Sequence, residues 1–129
     1  MATIIIFDDD TDILEICTII LRDKGYTVFT ETSCKNVIEK ILHSNPQVIL
    51  MDNKIPETGG ITATRIIKRT EKTKNIPVVF FSANINVAQL SKEAQADHYL
   101  QKPFDITELE NLIGKVTQHD SFDARLSGR

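Results

Sequence analysis

The chain is short of cysteine, of any strong charge excess and of long apolar runs, and each shortage removes a class of function. Its two cysteines, Cys17 and Cys34, form no metal-type or redox-type spacing. Cys17 lies within an apolar helical pattern and reads as a small core residue. The three histidines, His43, His98 and His119, share no metal-binding spacing and read as surface residues. With 15 basic and 18 acidic side chains, the formal charge of −3 argues against non-specific nucleic-acid binding, which needs a basic surface. No stretch approaches the ~20 apolar residues of a membrane span. No basic region precedes the short apolar run near the N-terminus, as it would in a secretory leader. The expectation is a cytoplasmic protein with no direct nucleic-acid or membrane partner. Internal repeats and low-complexity segments are absent too.

What is present is one domain's worth of chain, 129 residues of which 41% are hydrophobic, enough for a real core. Apolar runs alternate with amphipathic stretches. Ile4-Ile5-Ile6-Phe7 reads as a first strand, followed by a helix over about 11–24 with Asp12 and Glu15 in capping-box spacing and Gly25 as its stop. A short strand is predicted over 27–30, then a helix that Ser33 can cap and that reaches about residue 44. Val48-Ile49-Leu50-Met51 and Val78-Val79-Phe80-Phe81 are continuous apolar runs, as expected of strands buried on both faces. Helices are predicted over about 61–70 and 87–95, and Tyr99-Leu100 is a short last strand. Asp105 and Glu108 repeat the capping-box spacing and open a final helix with its apolar stripe ending at Val116. The domain is therefore placed at 1–118, with 119–129 read as a frayed tail or a cloning remnant.

Five strands alternating with five helices predict an α/β fold, a doubly wound parallel sheet. Such sheets bind ligands beyond the carboxyl ends of their strands. Asp8 and Asp9 follow the first strand, Asp52 the third, Ser82 the fourth and Lys102 the fifth, so all five land on one rim. Clustered carboxylates repel one another and need a compensating cation. An oxygen-rich site of this kind suits Mg²⁺, Lys102 suits a phosphate, and Ser82 offers a hydroxyl donor. No His, Cys or activated Ser occupies the rim, so the natural nucleophile is a carboxylate forming an acyl phosphate, and Asp52, alone at the end of a central strand, is the best placed. Asp10 and Asp12 read instead as acids at the positive end of a helix. A calcium loop starting at Asp8 fails, because Ile13 and Ile19 stand where glycine and glutamate are required.

In these residues the chain resembles a response-regulator receiver domain of two-component signalling. The matching pieces are Asp8-Asp9, Asp52 after Val-Ile-Leu-Met, Pro56, Gly60, Ser82, and the segment Tyr99-Leu100-Gln101-Lys102-Pro103-Phe104. The resemblance implies a flavodoxin-like sheet of order 2-1-3-4-5 and a phosphoacceptor role for Asp52. It implies that Asp9, Asp52 and the Lys54 backbone carbonyl bind Mg²⁺, with Asp8 acting largely through water. Lys102 would contact the phosphoryl oxygens, its bond to Pro103 being cis, and Ser82 and Tyr99 would switch on phosphorylation. The implied donor is a histidine kinase or histidine phosphotransfer protein, and the output is an unknown protein target, reached as a monomer or a phosphorylation-dependent dimer. The domain would be no enzyme beyond its own phosphorylation and dephosphorylation.

The chain departs from the family pattern at Gln95, where glycine is usual, and at Lys54 and Asn84, positions that tune phosphoryl lifetime. Nothing after Val116 is long enough for an output domain, so a stand-alone receiver is expected, the alternative being one excised from a hybrid kinase or larger regulator. A Mg²⁺-dependent aspartyl-phosphate phosphohydrolase is the rival: Asp8 and Asp10 fit its pattern, but Asp12 sits where Thr or Val belongs and no cap segment exists. A flavin binder would need a glycine-rich phosphate loop where the acids are.

Two surfaces suggest partners. The first helix is apolar nearly all round, at Ile13, Leu14, Ile16, Cys17, Ile19, Ile20 and Leu21, so some of these side chains should be free for docking. The fourth has only the thin face of Val87, Ala88, Leu90 and Ala94, which suits a movable element. The basic stretch Arg65, Lys68, Arg69, Lys72 and Lys74 reads as a solvated helix face, and Tyr99 reads equally as a core aromatic.

Overall fold

Every strand of this protein runs the same way, and that decides where its polar residues gather. The computed structural model describes residues 2–127, with the side chains of 119–127 outside the description. The order is β1 (Thr3–Phe7), α1 (Thr11–Asp23), β2 (Thr27–Glu31), α2 (Val37–Ser44), β3 (Val48–Asp52), α3 (Gly60–Arg69), β4 (Val78–Ser82), α4 (Val87–Ala94), β5 (His98–Gln101) and α5 (Ile106–Ser127). The strands form one parallel sheet in the order β2-β1-β3-β4-β5, the flavodoxin-like arrangement.

Side chains alternate across a strand, so the apolar runs split between two faces. Ile4, Ile6, Leu50, Val79 and Phe81 pack with Leu14, Cys17 and Leu21 of α1 and Leu109, Ile113 and Val116 of α5. Ile5, Phe7, Ile49 and Met51 pack with Val37 and Ile41 of α2 and Ala63 and Ile67 of α3. Phe80 packs against Val87 and Ala94 of α4 in a third cluster. That third cluster is small, in keeping with the thin apolar face of α4. Burial pushes the thiols of Cys17 and Cys34 up to about 11 and about 12, so both stay protonated packing groups.

Helix starts depart from the simplest capping rules. Asp10, not Asp12, caps α1, its side chain accepting from the N–H groups of Asp12 and Ile13. Ser33 does not cap α2: that helix begins at Val37 after Asn36 in the left-handed region, and Ser33 instead accepts from Lys40 through its carbonyl at 3.1 Å. The Asp105–Glu108 box is present in both directions, at 3.3 and 2.8 Å. The backbone of α5 continues to Ser127, beyond the boundary expected at 118. No proline or glycine interrupts it between Lys115 and Ser127, and an apolar stripe that stops at Val116 reports burial rather than helicity. Among the described residues no helix is long and apolar enough to cross a membrane.

Gln95 ends α4 with φ 67° and ψ 28°, which explains physically why glycine suits this position. A left-handed non-glycine residue costs about 1–2 kcal/mol, partly offset by the greater unfolded-state freedom of glycine. Gln95→Gly is therefore expected to stabilise the fold by about 0.5–1 kcal/mol in thermal unfolding. An unchanged or lowered Tm would contradict this account.

Candidate functional site

The parallel sheet delivers four strand ends to one rim, and the site is assembled there. Asp8 follows β1, its N–H donating to the Glu31 carbonyl at the end of β2, 3.0 Å away. Asp52 is the last residue of β3 and Ser82 the last of β4. Lys102 follows β5 and is tied back by its N–H to the Ser82 carbonyl at 2.8 Å. These residues, with Asp9, Lys54 and Asn84, line a cleft of about 390 Å³.

Two of the acids are nearly sealed from water, Asp8 at 1% exposure and Asp52 at 6%. Asp9 is exposed at the mouth. One carboxylate oxygen from each of the three lies within 4.8 Å of the others. Such an all-oxygen set of hard donors fits a small divalent cation, which tolerates few protein ligands and completes its shell with water or phosphate. Lys102 supplies the positive charge: its Nζ donates to Asp8 Oδ2 and to Asp52 Oδ1, each at 2.8 Å. The remaining oxygens are held by main chain, Asp8 Oδ1 by the Asp10 N–H at 2.9 Å and Asp52 Oδ2 by the Lys54 N–H at 3.2 Å.

Burial pushes the Asp8 carboxyl above the ordinary carboxylate range, and the neighbouring Asp52 charge adds to the shift while Lys102 and the Asp10 N–H oppose it. For Lys102, burial works to lower the pKa, but its hydrogen bonds to Asp52 and Asp8 prevail and hold the ammonium charged above its usual value. Lys102 is thus the cation that binds two of the three acids of the pocket directly.

Other residues occupy the places the sequence suggested only in part. Ser82 Oγ points back to its own chain and accepts from the Asn84 N–H at 3.0 Å. The Lys102–Pro103 peptide is cis. Tyr99 lies on β5 away from the cleft and is 52% exposed, so it is not a core aromatic. Gly60 starts α3 against the end of β3, its N–H donating to the Asn53 carbonyl at 2.9 Å. A Cβ there would come within 2.9 Å of Asn53 Cα and closer still to the Asp52 carbonyl oxygen, so only glycine allows this approach.

The family model of the response regulator receiver domain matches residues 4–114. The chain belongs to the response regulator receiver domain family. Among relatives of this receiver, the phosphate regulon transcriptional regulatory protein PhoB of Pseudomonas aeruginosa is 34% identical over 110 residues, which cover 83% of this chain and 48% of PhoB. The chain thus spans about half the length of that relative. The Francisella response regulator 1452 receiver domain is similar in structure, with TM-score 0.82, 25% identity, and coverage of 93% of this chain and 99% of that one. So is the receiver domain of a sensor histidine kinase from Pseudomonas aeruginosa PAO1, solved with a magnesium ion coordinated in its active-site cleft. Its TM-score is 0.80 at 25% identity, covering 88% of this chain and 95% of that one.

The receiver's outer surfaces sort the remaining expectations. On α1, Leu14, Cys17 and Leu21 are buried while Ile16 and Ile19 stay exposed, the latter at 62%. The basic stretch, which begins on α3 and ends in the turn beyond it, is not simply solvated: Lys68 Nζ donates to Asp97 at 2.8 Å and to the Ile76 carbonyl at 3.0 Å, and Arg65 Nε to the Glu93 carbonyl at 2.7 Å. These two side chains fasten α3 to α4 and to the segments that lead into β4 and β5, while Arg69, Lys72 and Lys74 remain exposed. His43 is exposed, His98 half-buried, and the His119 side chain lies outside the described residues. Sequence reasoning passed over Phe81, whose ring lies beneath the Lys102 ammonium with the centroid 4.6 Å from Nζ. Its only signal was an aromatic placed directly before the serine that ends β4.

Proposed function

We propose that this receiver accepts a phosphoryl group on Asp52 from a phosphohistidine of a partner kinase or phosphotransfer protein, in a Mg²⁺-dependent reaction. The observation that carries the reading is the double contact of Lys102 with Asp8 and Asp52 inside a cleft of three carboxylates. Asp8, Asp9, Asp52 and the Lys54 carbonyl would hold the cation, which when bound neutralises phosphoryl charge and relieves the repulsion among the acids.

The chain's own groups do the rest. A carboxylate oxygen of Asp52 forms the bond to phosphorus as the phosphorus–nitrogen bond of the donor breaks, and the imidazole leaves with that electron pair. Lys102 transfers its ammonium from the Asp52 carboxylate to the phosphoryl oxygens as charge accumulates there. Ser82 leaves the Asn84 N–H and donates its hydroxyl to the same group, and Tyr99 follows on the neighbouring strand. The new dianionic group thereby biases a surface with two arrangements. Water then attacks the phosphorus, the Asp52 oxygen–phosphorus bond breaks with its electron pair returning to the carboxylate, and inorganic phosphate leaves, so the substrate turned over is the domain's own side chain.

The exposed isoleucines of α1 support docking of the donor there, and the small apolar cluster beneath α4 supports an output through a protein target. Operation in the cytoplasm, as a monomer or a phosphorylation-dependent dimer, belongs to the same proposal. The test is incubation with a small-molecule phosphodonor, with Mg²⁺ or with chelator, followed by intact-mass and peptide-level analysis. One adduct per chain on Asp52, formed only with Mg²⁺, is expected. An adduct mapped to another residue would overturn the reading, and release of many phosphate equivalents per chain would favour a phosphohydrolase.

A further inference from the structure

Lys102 is held from above by two carboxylates, but a four-carbon side chain pulled from one side retains many rotamers. The structure closes the other side with an aromatic ring. Phe81 lies on β4 next to β5, paired in register with Leu100, and its ring is fully buried in the cluster formed with Leu109 and Ile113. Its centroid is 4.6 Å from Lys102 Nζ, inside the ~6 Å reach at which a ring face attracts a cation. Phe104 braces that ring, centroids 6.4 Å apart and planes tilted by 54°. The Lys102 backbone is pinned one residue beyond Phe81 through the Ser82 carbonyl, so the side chain starts from a fixed point beside the strand that carries the ring.

We propose that Phe81 is a positioning residue: its ring face holds the Lys102 ammonium at the height of Asp8 and Asp52, ready to meet the phosphoryl oxygens. This rests on the phosphoacceptor reading of Asp52. Ordinary stem burial does not account for the arrangement. Lysine usually lays its methylenes on apolar surface and sends the charge to water. Here the charged nitrogen itself sits over the ring, and the side chain is only 17% exposed. The attraction comes from the quadrupole of the ring and not from its bulk, and that separates positioning from space filling.

The test varies the quadrupole at constant shape. Phe81 is replaced by 4-fluoro-, 3,4-difluoro- and 3,4,5-trifluorophenylalanine, and also by leucine in Phe81→Leu. Two quantities are read: the ring-current shift of the Lys102 ε-methylene protons by NMR in the unphosphorylated protein, and the phosphorylation rate with Mg²⁺ and a small-molecule phosphodonor. An upfield ε-methylene shift in the wild type, lost in Phe81→Leu, is expected. The rate should fall stepwise with each added fluorine and by about three- to thirtyfold in Phe81→Leu, the range a partly to fully desolvated cation–ring contact supplies. Equal rates across the fluorinated series would overturn the proposal even if Phe81→Leu is slow, because only packing would then matter. A missing ring-current shift overturns it as well, whatever the rates. A wild-type chain that takes no phosphoryl group fails the function reading first, whereas a phosphorylated wild type with a flat series fails only the role of the ring.

Discussion

Asp52→Asn is expected to abolish the single phosphoryl adduct, a loss on the order of a thousandfold or more in rate, as when an enzyme's nucleophile is removed. The amide keeps the shape of the side chain and its capacity to accept from the Lys54 N–H, which now reaches Asp52 Oδ2 at 3.2 Å. What it loses is the nucleophilic charge and one of three anions in the cleft. A second measurement follows from that lost charge. A ligand present at ~100 times its dissociation constant stabilises a protein by about 2.7 kcal/mol. The rise in Tm on adding Mg²⁺ should therefore shrink in Asp52→Asn at the same metal concentration. An undiminished adduct would remove Asp52 as acceptor. An undiminished Mg²⁺ shift would remove it as a ligand while leaving its nucleophilic role to be judged separately.

Gly60→Ala is expected to produce the largest loss of stability among single-methyl changes at the site. The added Cβ would meet main chain, the Asn53 Cα at 2.9 Å and the Asp52 carbonyl oxygen nearer still. Backbone cannot step aside as a flexible side chain does. Overpacking typically costs about 1–3 kcal/mol, and a clash with two backbone groups belongs at or above the top of that range. For a domain of this size about 3 kcal/mol corresponds to roughly 10 °C in Tm. The start of α3 would also move away from the end of β3, shifting the Asp52 carboxylate from Lys102, so phosphorylation should slow in the folded fraction. A Tm within a degree of wild type would show that the helix start relaxes easily and that the close approach is not required.

Much of the architecture was legible because burial leaves a periodic mark. Four-residue apolar runs rich in β-branched residues, such as Ile4–Phe7 and Val48–Met51, suit strands covered on both faces, and those strands are where they were expected. Capping was less legible. Asp10, Asp12 and Ser33 all have side chains able to bond a free N–H, and which one does so depends on the angle at which chain enters the helix. The Asp105–Glu108 box was readable because both partners lie within one turn and need nothing from elsewhere.

The sequence by itself determined the alternation of strands and helices, the parallel sheet and the placement of Asp8, Asp9, Asp52, Ser82 and Lys102 at strand ends. These follow from local spacing and from the rule that parallel strands end on one side. Only the tertiary structure decided how those groups pair. The contact of Lys102 with Asp8 spans 94 residues and that with Asp52 spans 50, and the ring beneath it comes from a neighbouring strand. Distances across such separations are set by sheet register and twist, which no local pattern encodes. The fourfold meeting of two acids, an ammonium and an aromatic face is a property of the folded sheet.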